Sequence, residues 1–195
     1  MSTQIPFFSH RFLFVRHGES EANQQKLFAG SWDIDLTDKG VSQAIEAAKN
    51  LTGETIGTVF ASPMKRTLKT AEVIAEALGG FPIETVPGIT ERCYGEWEQT
   101  SNVGMDRSLT PPGGESPEEF NNRTITNLKP VVGSPTILLI AHSGTFRALH
   151  HHLLGVPVFN SVSNGIPIAF IPPETEGAPW TFESLGGTLS ESSGD

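Results

Sequence analysis

Three short polar clusters punctuate the sequence, each directly after an apolar run: Arg16-His17-Gly18-Glu19, Ser62-Pro63-Met64-Lys65-Arg66 and His142-Ser143-Gly144. Together they supply two histidines and two arginines, with no cysteine among them. Arginine presents a planar fork that grips phosphate bidentately and keeps its charge at every relevant pH. A neutral imidazole can attack phosphorus and carry the group covalently. This combination suits an anionic substrate with a transferable centre. Singly, each residue has an ordinary explanation: a histidine after a strand usually packs or faces water, and Arg16 or Arg66 alone reads as a surface charge. Their joint occurrence at three equivalent turns reverses that reading.

Convergence requires the three turns to share one edge of a sheet, and the flanking patterns predict it. Arg11–Arg16, Thr58–Ala61 and Thr136–Ala141 are short apolar runs of strand type, the last apolar enough to be buried on both faces. Thr37 precedes Val41, Ala44, Ile45, Ala48 and Leu51 at helical spacing, as an N-cap would. Ser62-Pro63 predicts the cap and first turn of a helix reaching Leu78 and stopped by Gly79-Gly80. A short strand is expected over Pro82–Val86. Ser116-Pro-Glu-Glu119 has the capping-box pattern, a helix follows from about Thr145 to Leu154, and strands are expected at Ile166–Ile171 and Trp180–Leu185. This alternation predicts an α/β fold of three layers, a mainly parallel sheet flanked by helices. In such sheets ligands bind beyond the carboxyl ends of the strands.

Size and charge bound the possibilities. With 195 residues, 37% hydrophobic and 18% charged, the chain can bury a full core as one domain, expected over residues 11–185. Residues 1–10 read as a loose terminus and 186–195 as a disordered Gly/Ser/acidic tail. Residues 99–115 turn polar and rich in Gly and Pro, within a surface excursion at 96–123. The single Cys93 excludes an intrachain disulfide and a multi-cysteine zinc site. A net charge of −9, with no Lys or Arg after Arg147, argues against nucleic-acid partners. Positive charge for an anion must therefore be concentrated in a few arginines. The longest wholly apolar run, Ile137–Ala141, is too short to span a bilayer, so no membrane partner is expected. The first residues lack a basic leader and a cleavage pattern, and the cytoplasm is the expected compartment. His150-His151-His152 cannot share one metal ion, because consecutive helical residues diverge. There is neither a G-x-S-x-G elbow nor a P-loop.

Phe14-Val-Arg-His-Gly-Glu-Ser20, with Asn23 following, resembles the signature of the histidine phosphatase superfamily, which includes the cofactor-dependent phosphoglycerate mutases. Leu36–Gly40 with Gln43-Ala44, Ala61–Ala71, Glu91–Glu98, Gly113–Ser116 and Ala141–Gly144 resemble further blocks, six in family order. The resemblance implies a phosphoglycerate mutase-like fold and a role for each matching residue. His17 would carry the phosphoryl group, with Arg16, Arg66 and His142 around its equatorial oxygens. Glu91, in a stretch that reads as partly buried, would serve as acid and base, with Glu96 and Glu98 as rivals. Asn23 and Ser143 would add hydrogen bonds, Gly18 would allow close backbone approach beside the nucleophile, and Arg92 and Tyr94 would lie beside the substrate.

Three activities follow from the resemblance: a phosphomonoesterase of histidine acid phosphatase type, a mutase, or a non-catalytic binder of phosphorylated ligands. With His17, Arg16, Arg66, Glu91 and His142 all present, the binder is weakest. Glu91-Arg92-x-Tyr94-Gly95 is nearer the mutase pattern. Yet residues 96–122 contain only Arg107 and no lysine, where the mutases carry an arginine pair and a lysine. The phosphatase is favoured, acting on a small phosphate ester. No metal or organic cofactor is implied, since arginine and histidine take the place of cations.

Overall fold

The computed structural model describes residues 5–157, 162–175 and 177–186. The strands are β1 (Ile5–Pro6), β2 (Phe12–Arg16), β3 (Thr58–Ala61), β4 (Ile83–Thr85), β5 (Val132–Gly133), β6 (Ile137–Ala141), β7 (Pro167–Ile171) and β8 (Thr181–Ser184). The helices are α1 (Glu21–Gln25), α2 (Asp38–Asn50), α3 (Lys65–Ala77), α4 (Pro117–Leu128) and α5 (Ser143–Leu154). Six strands form one sheet in the order β4-β3-β6-β2-β7-β8. Only β7 runs against the other five, pairing antiparallel with both β2 and β8.

Strand alternation builds the layers. Phe12, Phe14, Ile137 and Leu139 face one side, packing with Ile125 and Leu128 of α4 and Phe146 and Leu149 of α5. Leu13, Val15, Leu138 and Ile140 face the other, against Ala44, Ala47 and Ala48 of α2 and Ala71 and Ile74 of α3. Period two along each strand thus feeds two cores from one run of apolar residues. The caps at Thr37 and Ser116 form as their patterns predict, the latter with the full capping box to Glu119.

Several expectations are corrected. Residues 5–10 are not loose: β1 pairs antiparallel with β5, and Phe7, only 1% exposed, packs its ring 4.5 Å from Phe12. The third helix starts at Lys65, not Pro63, with Met64 at the N-cap. Ser62 does not cap it because its hydroxyl bonds His142, and the Lys65 N–H is taken instead by Asp33 at 2.8 Å. The fifth helix starts two residues early, at Ser143. The expected excursion at 96–123 ends in the first turns of α4, which begins at Pro117 as the Ser116 capping pattern predicts. Residues 1–4 of the expected loose terminus, and the acidic tail from Gly187 on, lie outside the described residues. Among the described residues no helix is long and apolar enough to cross a membrane.

Candidate active site

Parallel β3, β6 and β2 bring the three polar turns to one sheet edge. The ladder continues one residue past the strands, with His17 N–H donating to Ala141 O at 3.0 Å and Ser62 N–H to Ile140 O at 3.1 Å. His17 is buried, and its Nδ1 lies 2.7 Å from Gly18 O. A carbonyl only accepts, so Nδ1 carries the proton and Nε2 keeps the lone pair. Burial, reinforced by Arg66, His142 and Arg16, holds the pKa of His17 well below the ordinary histidine value. The ring is therefore neutral near pH 7.

His142, fully buried at the start of α5, lies with its ring centroid 5.4 Å from that of His17. Its Nε2 is 2.8 Å from Ser62 Oγ, and its buried Nδ1 has no hydrogen-bond partner among the described residues. Burial and the charges of Arg66, Arg16 and Arg123 push its pKa well down too. Arg66, 1% exposed, donates from its two terminal nitrogens to Trp32 O and Gly30 O, both at 3.0 Å. Neutral acceptors fix the fork without neutralising it. Arg16 donates to Val162 O at 2.7 Å. Asn23 Oδ1 is occupied by the Ser20 N–H, the Ser20 hydroxyl and Asn164 Nδ2, so its amide NH2 is the end left for a ligand.

Glu91 is half-buried in a segment of coil. Its carboxylate accepts from Arg92 N–H at 2.8 Å and from Gly144 N–H, at the amino end of α5, at 3.2 Å. Glycine at 144 leaves room for the acid, because a Cβ there would displace the Glu91 carboxylate and press on the Phe120 ring. Glu98, one rival acid, is tied to Ser31 and to the Tyr94 N–H, and Glu96 is exposed. Arg16, His17, Asn23, Phe28, Arg66, Glu91, Tyr94, Arg107 and Ser143 all border one pocket of about 40 Å³. A water needs roughly 10–15 Å³ of such space, so the pocket suits a phosphoryl-sized group. Three arginines at one small cavity concentrate positive charge in an acidic molecule.

Residues 12–166 match the family model of the histidine phosphatase superfamily (branch 1). The chain belongs to this superfamily. It is 32% identical to a 2,3-bisphosphoglycerate-dependent phosphoglycerate mutase of Bartonella tribocorum over 185 aligned positions, covering 81% of this chain and 90% of that protein. It is also 28% identical over 173 positions to a glucosyl-3-phosphoglycerate phosphatase of Mycolicibacterium vanbaalenii, covering 77% and 76%. Among solved structures, mycobacterial glucosyl-3-phosphoglycerate phosphatase complexed with VO3 superposes with a TM-score of 0.75, covering 93% of this chain and all of the other. At 21% identity that likeness speaks for the fold.

In this histidine phosphatase superfamily member Gly18 makes a close backbone approach beside His17, to the protein's own α2, and Arg92 lies away from the pocket it was expected to border. Gly18 turns its Cα onto the backbone of Gly40 in α2, where any Cβ would collide with the Gly40 carbonyl, and its N–H donates to Thr70 Oγ1. It is a packing glycine. Arg92 points away from the pocket and donates to the carbonyls of Arg107, Leu109 and Glu115, at 2.7, 2.7 and 2.8 Å. It holds the excursion down. Ser143 and Tyr94 do border the pocket, Ser143 accepting from Arg147 at 3.1 Å and the Tyr94 ring tilted against Phe28 with centroids 4.5 Å apart. Sequence reasoning missed Asn164, whose amide also donates to His17 O at 2.8 Å, because Asn164-Gly165 reads only as a turn. It read Ser62 as a cap and counted Arg107 without placing it. The guanidinium of Arg107 lies over the Phe28 ring, 5.4 Å from its centroid. The histidine run diverges as expected: His150 bonds Val156 O, His151 is exposed and His152 lies against Phe8.

Proposed function

We propose that this chain is a phosphoric monoester hydrolase of the histidine acid phosphatase type, cleaving a small phosphorylated metabolite through a phosphohistidine at His17. The observation that carries the reading is the 2.7 Å contact of His17 Nδ1 with Gly18 O. With the Nδ1 proton committed to Gly18 O, a neutral, buried Nε2 lone pair remains for attack.

In the first step Nε2 forms a bond to phosphorus as the ester P–O bond breaks, and protonated Glu91 gives its proton to the departing alkoxide. Arg16, Arg66, His142 and the Asn23 amide stabilise the charge spread over the equatorial oxygens. In the second step water attacks phosphorus and gives a proton to the Glu91 carboxylate while the P–N bond breaks. Inorganic phosphate leaves, and neutral His17 and protonated Glu91 are restored. The arginines supply the positive charge that a metal ion brings in other phosphatases, so turnover needs none.

Arg107 is the one arginine, and there is no lysine, between residues 96 and 122. This supports hydrolysis over retention of a bisphosphate. The second reading, a phosphoglycerate mutase, is favoured by the names of relatives at 30–32% identity. A panel of phosphate esters assayed with EDTA separates the two. Hydrolysis with free phosphate released, undiminished by EDTA and inhibited by vanadate, is the expected result. Isomerisation of 3-phosphoglycerate without phosphate release would establish the mutase, and activity lost in EDTA and restored by zinc or magnesium would overturn the metal-free mechanism.

A further inference from the structure

Glu91 lies between two single 3-10 turns, Pro87–Ile89 and Gly95–Trp97, on backbone that belongs to no strand or helix, although its carboxylate accepts from Gly144 at the start of α5. An acid that must meet one leaving oxygen cannot be left to a free loop, since catalytic geometry tolerates only small displacements. We propose that the Arg123–Glu115 ion pair is the device that positions Glu91, making both positioning residues for the general acid. The inference rests on the reading of Glu91 as that acid.

Arg123 projects from α4 and spreads its donors over the segment. One terminal nitrogen donates to Gly88 O at 2.8 Å and to Thr90 O and Thr90 Oγ1 at 3.2 Å. The other reaches Glu91 O at 3.4 Å and Glu115 Oε2 at 2.8 Å, while Nε donates to Glu115 Oε1 at 2.7 Å. Glu115 in turn accepts from the Cys93 N–H at 2.9 Å, and its own N–H donates to Cys93 O at 2.9 Å. The backbone is thus gripped before Glu91, at Gly88 and Thr90, and after it, at Cys93. A bidentate arginine–carboxylate pair has a fixed planar geometry, which suits it to set a distance.

This assigns a task to Gly113-Gly114-Glu115-Ser116. Gly113 turns at a positive φ of 68°, and a Cβ on Gly114 would meet Cys93 O at 2.7 Å. The glycines bring the strip against the acid-bearing segment, Glu115 binds it, and Ser116 starts the helix that carries Arg123. Arg123 and Glu115 spend their polar groups on each other and on the backbone of this segment, so a substrate contact is not their role.

The test is kcat for glycerol phosphate and for p-nitrophenyl phosphate in Arg123→Lys and Glu115→Gln, each in the native and the Glu91→Gln background, with thermal midpoints recorded. Lysine keeps the charge but loses the fork, and glutamine keeps the shape but loses the charge. p-Nitrophenolate leaves well unprotonated, so only the alkyl ester depends on a placed acid. Each variant is expected to lower alkyl turnover roughly 10- to 100-fold, with little change for the aryl ester or for inhibition by inorganic phosphate. Once Glu91 is glutamine, neither variant should change the alkyl-to-aryl ratio further, the non-additivity of residues acting as a unit. Equal losses for both esters, or an alkyl loss that persists in full without the Glu91 carboxyl, would overturn the inference and leave a clamp that serves stability alone. If Glu91→Gln by itself lowered both esters equally, the assignment of Glu91 as the acid would fall first, a result visible without either clamp variant.

Discussion

Two nitrogens of the same ring have opposite uses in His17. The one bound to Gly18 O is spent on orientation, and the other is the one that attacks phosphorus in the proposed mechanism, because the first holds the proton. His17→Ala removes the nucleophile without touching the arginines. It should abolish hydrolysis of every ester, by on the order of 10³-fold or more, while phosphate still binds. Steady-state kinetics beside a phosphate-binding measurement on the same folded variant checks this, and substantial residual turnover would refute the phosphohistidine route. The pH dependence follows from the same ring. Burial first, then the nearby Arg66, the adjoining His142 ring and Arg16, disfavour the imidazolium, so the ring stays neutral as pH falls below 6.5. Any acid limb of kcat/KM due to His17 should therefore lie below that value.

At the scale of elements, the site depends on α2 pressing against the turn after β2. Gly18 and Gly40 meet backbone to backbone, and neither has room for a methyl group. Around that contact Glu19 acts as a clasp: its N–H donates to Gln43 Oε1, and its carboxylate accepts from Thr37 Oγ1 and pairs with Lys39 at 2.7 Å. The exposed Lys39 pair adds little by itself, so the backbone contact is the sensitive part. Gly18→Ala must push α2 away from the turn, an overpacking that costs about 1–3 kcal/mol. The expected result is a lower urea midpoint, with turnover reduced because His17 is the adjacent residue. An unchanged midpoint would show that the turn yields freely.

For the whole molecule, an acidic chain of net charge −9 holds buried cations at a single pocket. Phosphate or vanadate that binds there only in the folded state should raise the melting temperature. Stabilisation follows the logarithm of ligand over its dissociation constant and reaches about 2.7 kcal/mol at a hundredfold excess. Acid acts in the opposite sense. His17 and His142 have folded pKa values well below 6.5, so as pH drops through 6.5 the unfolded chain takes up protons that the folded one refuses. Their neutral burial costs nothing above that pH and destabilises increasingly below it. Melting temperature should fall between about pH 6.5 and 5, before carboxylates titrate in bulk, and His17→Asn should flatten part of that slope. A melting temperature constant over that interval would contradict the neutral pair.

What the sequence determined by itself is local in origin. Apolar runs of four to six residues with turns behind them located β2, β3 and β6, and the polar residues following each run include Arg16, His17, Arg66 and Ser143 at the pocket. Thr37 and Ser116 announced their helices because a cap needs only its own next three residues. The tertiary structure decided wherever a residue's partner lies far along the chain. Ser62 has the signature of a cap, but a buried imidazole 80 residues away takes its hydroxyl. Arg92 sits next to Glu91 in sequence, yet loop carbonyls up to 23 residues on draw it out of the pocket. Phe7 reads as part of a loose terminus until β5 pairs with its neighbours. The reversal of β7 has no signature either, since an apolar run is the same in both directions. Side-chain type and short spacing encode which chemistry is available. Which groups reach the pocket is set by long-range pairing, because a buried donor or acceptor takes whichever partner the packing brings within reach.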